Sequence, residues 1–190
     1  MPRITAATVA EHREQRRDAL LDAAAAVLRE RGDVTVGAVA KRAGISRTAV
    51  YEYYNSAADL IADVLVDELT MWIDHLEAAV DGIDDPRERL STWIRTALAY
   101  VADGRHSLVR AAGRSDLPPV RRAQVQSLHQ RLAGSVHGAL RELGSADPDR
   151  LASYIWSVTE AATRHIESGR DADEEIDAAI RFALAGITPR

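Results

Sequence analysis

Residues 35–57, TVGAVAKRAGISRTAVYEYYNSA, predict two short helices joined by a tight turn. Apolar residues recur at helical spacing before Gly44, and Ser46 then opens a second apolar-periodic stretch. Gly44 can adopt the left-handed conformation that ends a helix, and Ser46 can cap the helix that follows. These residue types at this spacing predict a helix-turn-helix. An ordinary pair of packed helices in a helical core is the alternative.

Further matches of residue and spacing surround this segment. They are RRDALLDAA at 16–24, RERG at 29–32, VAKRAGIS at 39–46 and VYEYY at 50–54, together with Thr35. With these matches, residues 13–65 resemble the DNA-binding domain of TetR-family regulators. Beyond residue 65, only the helical pattern and the length of the chain are similar to that family.

Composition restricts the classes of function that remain. The 190 residues include no cysteine, which excludes disulfides and a cysteine nucleophile and favours a reducing compartment. The six histidines form no HExxH pattern, and neither a glycine-rich phosphate loop nor a GxSxG turn is present. We therefore expect no enzyme, no metal and no cofactor. Without a secretory or membrane-spanning segment, we expect a cytoplasmic protein with no membrane partner.

Charge is unevenly distributed along the chain. The net charge is −5 at pH 7, yet residues 1–56 hold nine Lys and Arg against seven Asp and Glu. The excess of acidic residues therefore lies entirely in residues 57–190. A mildly basic amino-terminal part on an acidic remainder is typical of one small DNA-binding domain on a body that does not touch DNA.

Apolar periodicity and capping signals predict an all-α protein of about nine helices. Residues 1–12 predict a flexible tail, and the first helix is expected from about Glu11. Residues 13–57 predict a three-helix DNA-binding domain, and residues 58–190 a larger helical ligand-binding and dimerisation domain. Capping signals mark later helix starts at Ser56, Asp85, Asp147 and Asp171.

The last two predicted helices carry more apolar residues than one buried stripe requires. The excess favours a second contact surface, most simply a four-helix interface between two copies of the chain. Burial on both sides within one chain is the alternative. The resemblance favours the homodimer, since the family's dimers usually form through their last helices. The expected interface residues are Leu151, Ile155, Val158, Ala162, Ile176, Ile180 and Ala183.

The resemblance places base contacts at the start of the second helix of the motif. Arg47 can bind guanine O6 and N7 with two hydrogen bonds, and Thr48 or Ala49 can contact a thymine methyl. A single helix reads only a few base pairs. We therefore expect a homodimer on a palindromic double-stranded DNA operator.

Three further residues are expected at the DNA. Thr35 can offer its hydroxyl and the backbone N–H groups that follow it to a phosphate. The hydroxyls of Tyr51 and Tyr53 fit backbone or base contacts, although packing against the first helix is the alternative for Tyr51. In the tail and first helix, Arg3, or Arg13 with Arg16, is a candidate arm for phosphate or a minor groove.

One position departs from the family pattern. Family members commonly carry a lysine that holds a phosphate where this chain has Ala57. The resemblance thus implies one phosphate contact fewer, with a salt dependence shallower by about one unit.

The alternative to a DNA-binding regulator is a helical small-molecule or protein-binding module with a weakened DNA-binding domain.

The resemblance also implies that the helical domain encloses a pocket for a small-molecule effector. The effector's identity is not readable from the sequence. Its binding would release the protein, most often a repressor, from its operator. Candidate ligand contacts are the aromatic and polar residues that interrupt the apolar faces: Trp72, Trp93, Tyr100, Arg110, Trp156, Glu160 and Arg164.

Overall fold

The computed structural model describes residues 6–30, 33–113 and 117–187, which carry nine helices and no strand. The expected all-α fold is confirmed. The helices are α1 (Ala6–Arg29), α2 (Val36–Ala43), α3 (Arg47–Tyr51), α4 (Ala57–Val80), α5 (Pro86–Ala102), α6 (His106–Gly113), α7 (Pro119–Glu142), α8 (Pro148–Glu167) and α9 (Ala172–Ala185). None of the helices in these ranges combines the length and the apolar character that a membrane crossing requires.

The chain divides into two compact units. The first unit comprises Met1–Glu68 and Leu108–Val125, and the second comprises Leu69–Ser107 and Gln126–Arg190. Helices α4, α6 and α7 therefore contribute residues to both units. The first unit extends past the domain boundary expected after residue 57, because Asp63 on α4 bonds Arg17 of α1 and Tyr54.

Helix starts follow the capping signals of the sequence. Asp85, Asp147 and Asp171 each accept a hydrogen bond from a backbone N–H two or three residues later, at 2.9–3.0 Å. Ser56 accepts one from the N–H of Asp59 at 3.1 Å. Because these bonds satisfy N–H groups that have no partner within the helix, they fix where each helix begins.

The start of α1 differs from the sequence-based expectation. The helix begins at Ala6 rather than near Glu11, so the tail expected over residues 1–12 is helical from residue 6 onward. Residues 6–10 read AATVA. Alanine is the best helix former, and a helix extends through such residues without an apolar stripe to pack. Arg3, a candidate arm residue, lies outside the described residues.

Each unit has its own apolar core. In the first unit, α1 packs against α2 and α2 against α3, and Leu20, Val39 and Val50 are fully buried. In the second unit, α5, α8 and α9 pack against one another. The cores therefore hold the short helix α3 in one unit and the last two helices in the other.

Candidate nucleic-acid interface

The turn between α2 and α3 has the geometry that the sequence predicts. Gly44 ends α2 with φ of 69°, in the left-handed region. The N–H of Ile45 bonds the carbonyl of Ala40 at 3.0 Å, and the N–H of Gly44 bonds that of Lys41 at 3.4 Å. This pair of bonds is the Schellman motif, which closes a helix and sends the chain off at a defined angle. The turn therefore sets the direction of α3.

Helix α3 presents its first turn to solvent. Ser46 caps it by accepting a hydrogen bond from the N–H of Ala49 at 3.1 Å. Val50 is fully buried and anchors the helix, whereas Arg47 and Thr48 are exposed and Ala49 is half-buried. The exposed side chains are thus free of any role in the core and available to a partner.

Thr35 and Arg47 belong to one surface. Thr35 caps α2 by accepting a hydrogen bond from the N–H of Ala38 at 3.1 Å. A Cβ added to Gly37 would lie 3.9 Å from the Arg47 side chain and 3.9 Å from Oγ1 of Thr35. The Arg47 side chain therefore runs past the amino-terminal end of α2. That end offers backbone N–H groups and the positive pole of the helix dipole to an anion.

The tyrosines after this turn take different environments. Tyr51 is 51% exposed, which excludes close packing of its ring in the core. Tyr53 is half-buried, and the guanidinium of Arg13 lies 5.8 Å from its ring centroid, in cation–π contact. Tyr54 is buried and donates its hydroxyl to Asp63 Oδ2 at 3.2 Å. Only the first two can meet a partner.

The sequence-based reasoning did not single out Asp63, a buried carboxylate that bonds side chains near this surface. Asp63 is 4% exposed and accepts from Arg17 Nη2 at 2.9 Å and from Arg121 Nη2 at 2.6 Å. The sequence feature that could have revealed Asp63 is its position between Leu60 and Val64 on the apolar face of α4. The hydrogen bond to Asp63 raises the pKa of Arg17. Burial, followed by the negative charge of Asp63, raises the pKa of Tyr54, so its hydroxyl stays protonated and donates.

The aromatic candidates for ligand contacts form two pairs in the second unit. Trp72 stacks on Tyr100 with ring centroids 5.3 Å apart, and Trp93 meets Trp156 edge-on at 5.2 Å. Among the described residues, neither the buried Nε1 of Trp72 nor that of Trp93 has a hydrogen-bond acceptor. A buried donor without an acceptor is destabilising by about 1–3 kcal/mol, which a ligand acceptor can offset.

The charged candidates lie elsewhere. Glu160 and Arg164 form an exposed ion pair along α8 at 2.9 Å, with 74% and 63% of their side chains exposed. Such a pair contributes little to stability and shields neither group from water. Arg110 is assigned to the first unit and the two aromatic pairs to the second. Glu160 and Arg164 therefore face solvent and do not line a buried site.

The expected interface residues on α8 and α9 divide into two sets. Five of them are buried within the protomer: Ile155, Ala162, Ile176, Ile180 and Ala183. Leu151 and Val158 are half-buried and line an apolar groove of about 640 Å³, which the buried Ile155 and Ala183 also line. Tyr154 and Phe182 line the same groove and are 58% and 69% exposed. The outward apolar face thus includes two large aromatic residues that the sequence-based list left out.

Comparison with known proteins finds transcriptional regulators with a similar sequence and fold. Residues 20–64 match the family model described as bacterial regulatory proteins, tetR family. The chain is 27% identical over 189 residues to the HTH-type transcriptional repressor KstR2 of Mycolicibacterium smegmatis, covering 91% of each chain. It is 26% identical to a TetR-like transcriptional regulator from Rhodococcus sp. RHA1, with a TM-score of 0.74 over 92% of this chain and 97% of that one.

A more distant solved structure shares the fold. The regulator FadR from Bacillus subtilis, solved in complex with stearoyl-CoA, is 19% identical, with a TM-score of 0.74 over 90% of this chain and 98% of that one. The match of the helix-turn-helix segment, the full-length similarity to regulators and the exposed start of α3 agree. Residues 20–64 therefore form a DNA-binding domain of the tetR family of bacterial regulatory proteins, and the chain as a whole is similar to transcriptional regulators of this kind.

Proposed function

We propose that the protein is a repressor that binds a palindromic operator as a homodimer and is released by a small molecule. The observation that carries the DNA-binding part is the exposed first turn of α3, where Arg47 and Thr48 lie beside the amino-terminal end of α2. In this arrangement Arg47 bonds guanine O6 and N7, and Thr48 contacts a neighbouring base. Thr35 and the first N–H groups of α2 hold a phosphate.

The homodimer is supported by the apolar face of α8 and α9. Tyr154 and Phe182 together expose two large aromatic rings beside Leu151 and Val158. A contiguous apolar face with exposed aromatic residues favours burial against a partner. A second copy presents the same apolar face, so a two-fold symmetric dimer buries this face on both copies at once. The interface that we propose is centred on these four outward residues and not on the residues buried within the protomer.

The effector that we propose is largely apolar and carries at least one hydrogen-bond acceptor. Two aromatic pairs in the second unit supply apolar walls, and the Nε1 groups of Trp72 and Trp93 await acceptors. The structural neighbour FadR from Bacillus subtilis was solved in complex with stearoyl-CoA, which supports an effector with a long apolar chain. Binding would favour a domain arrangement that no longer matches half-sites about 34–36 Å apart.

The direct test selects bound duplexes from a random DNA pool with the purified protein near physiological salt. The proposal predicts enrichment of a palindrome with half-sites about one helical turn apart. The enriched site then serves in a screen of apolar acceptor-bearing molecules for loss of binding. A folded protein that enriches no sequence would contradict the proposal and favour a helical binding module with a weakened DNA-binding domain.

Substitution of Arg47 tests the assignment of base reading. Arg47→Ala is expected to lose about 1–3 kcal/mol of discrimination at one base pair of the enriched site. The matched control is Arg42→Ala, which removes an exposed arginine of the preceding helix that pairs with Glu30 at 2.6 Å. The control is expected to keep the base preference. Unchanged preference in Arg47→Ala would remove that residue from the reading surface.

A further inference from the structure

The amino-terminal half of α1 segregates its charges. Residues 11–19 of this helix are all exposed. The basic residues are Arg13, Arg16 and Arg17, and the acidic residues are Glu11, Glu14 and Asp18. At about 100° per residue, the basic and the acidic residues occupy two separate arcs of the helix surface. An exposed helix with no role for charge needs no such separation, so the basic face points to a partner.

The basic face of α1 lies beside both ends of α3. The guanidinium of Arg13 lies 5.8 Å from the ring centroid of Tyr53, two residues beyond the end of α3. Arg16 lines a pocket of about 300 Å³ with Ala43 and Ile45, at the turn that precedes α3. The two arginines therefore flank the helix that presents the base-reading residues.

The charges of these two arginines are uncompensated. Arg17 is held by Asp63 at 2.9 Å. Within the described ranges, no carboxylate lies within ion-pair distance of Arg13 or Arg16. The ring of Tyr53 orders the Arg13 guanidinium through its face, which leaves the N–H edges of the guanidinium for an anion. An ordered, unpaired guanidinium binds phosphate at a lower entropic cost than a free one.

We infer that Arg13 and Arg16 bind the phosphate backbone of DNA beside the base pairs that α3 contacts. The inference rests on the proposed function, because duplex DNA is the anionic partner that α3 would bring to this face. It gives the amino-terminal half of α1 a role in affinity that is independent of sequence. Phosphate contacts of this kind position a protein on the duplex and do not choose the site.

The salt dependence of operator binding tests the inference. Binding of the full-length protein to the selected duplex is measured from low to physiological salt for Arg13→Gln and Arg16→Gln. Each variant is expected to reduce the slope of log K against log salt by about 1.8, because each of the two subunits on the operator loses one phosphate contact. Affinity should fall by a similar factor on specific and random duplexes, with base preference unchanged. Arg13→Lys retains the charge and is expected to restore the slope.

The matched control is Arg95→Gln, which removes one exposed arginine in the second unit, paired there with Asp177 at 2.9 Å. Its slope should equal that of the wild type. Wild-type slopes in Arg13→Gln and Arg16→Gln, with an intact Arg47 effect, would overturn this inference alone. A wild-type protein that binds no duplex would overturn both the inference and the proposed function. Thermal unfolding of each variant separates lost contacts from lost structure.

Discussion

The two units differ in whether their buried polar groups have hydrogen-bond partners. In the first unit, Asp63 is buried with three side-chain partners, and Thr35 and Ser46 satisfy backbone N–H groups at the surface. In the second unit, Trp72 and Trp93 bury indole N–H groups that find no acceptor among the described residues. The buried carboxylate of the first unit therefore has its partners within the protein, whereas the second unit holds buried donors that a bound molecule can satisfy.

This difference supports the two tasks that we propose, base reading by the first unit and ligand response by the second. A surface that reads bases gains from being rigid, because ordering side chains on binding reduces affinity. A unit that responds to a ligand needs free energy that is released only when the ligand is present, and unsatisfied donors supply it. The predictions below test each side of this contrast, beginning with the largest expected effect.

Removing the side chain of Trp93 should be the most destabilising change. Trp93 is 2% exposed, and Trp93→Ala is expected to lower the free energy of unfolding by about 3–5 kcal/mol. Trp93→Phe should cost much less, because it removes an N–H that has no acceptor among the described residues. Urea unfolding measures both. The matched control is Trp156→Ala at its half-buried partner, and a loss there equal to that of Trp93→Ala would contradict the ranking.

Neutralising Asp63 should be the next largest effect. Asp63→Asn leaves Arg17 and Arg121 beside an amide, and the expected loss is about 2 kcal/mol. We expect no larger loss of stability because the side chains of Arg17 and Arg121 are 46% and 33% exposed and can be hydrated. Tyr54→Phe removes one bond of the same group and should cost about 1 kcal/mol. Equal costs for the two variants in urea unfolding would show that the ion pairs contribute nothing.

Removing the cap of α3 should have a smaller effect. Ser46→Ala frees the N–H of Ala49, and the expected loss is about 1 kcal/mol. Ser46→Asn keeps an acceptor at this position and serves as the control, with stability near that of the wild type. Denaturant unfolding of both variants measures the difference. Indistinguishable unfolding midpoints for Ser46→Ala and Ser46→Asn would mean that the side-chain cap does not stabilise α3.

The smallest predicted effect depends on pH. Burial raises the pKa of Asp67 above its ordinary value. The folded state thus binds this proton more tightly than the unfolded state does. The resulting stabilisation is complete below the unfolded pKa of about 3.9 and is lost as the pH rises through the folded value. Asp67→Asn should therefore raise stability slightly at pH 7 relative to the wild type, and the gain should vanish below pH 4. A gain that persists in acid would exclude this cause.

Local chemistry explains what the sequence made predictable. A capping side chain and its N–H group lie two or three residues apart, so Asp85, Asp147 and Asp171 mark helix starts without knowledge of the fold. The same holds for Gly44, whose left-handed conformation ends α2. The start of α1 was missed because an alanine-rich stretch extends a helix without an apolar period.

Long-range packing explains what the sequence did not reveal. Periodicity shows that α8 is apolar on more than one face, but it does not tell which face meets α9. Ile155 is consequently buried, whereas Tyr154, one residue earlier, is exposed, although both line the groove. The two arginine partners of Asp63 come from positions 46 and 58 residues away in the chain, a separation that carries no local pattern.

The layout of α3 bears on how operators can change during evolution. The residues that hold the helix in place, Ser46 and Val50, are not the exposed residues proposed to read bases, Arg47 and Thr48. Substitutions at exposed positions usually alter stability by no more than about 0.5 kcal/mol. Duplicated copies of such a gene can therefore diverge to new binding sites through single substitutions, with no compensating mutation elsewhere in the fold.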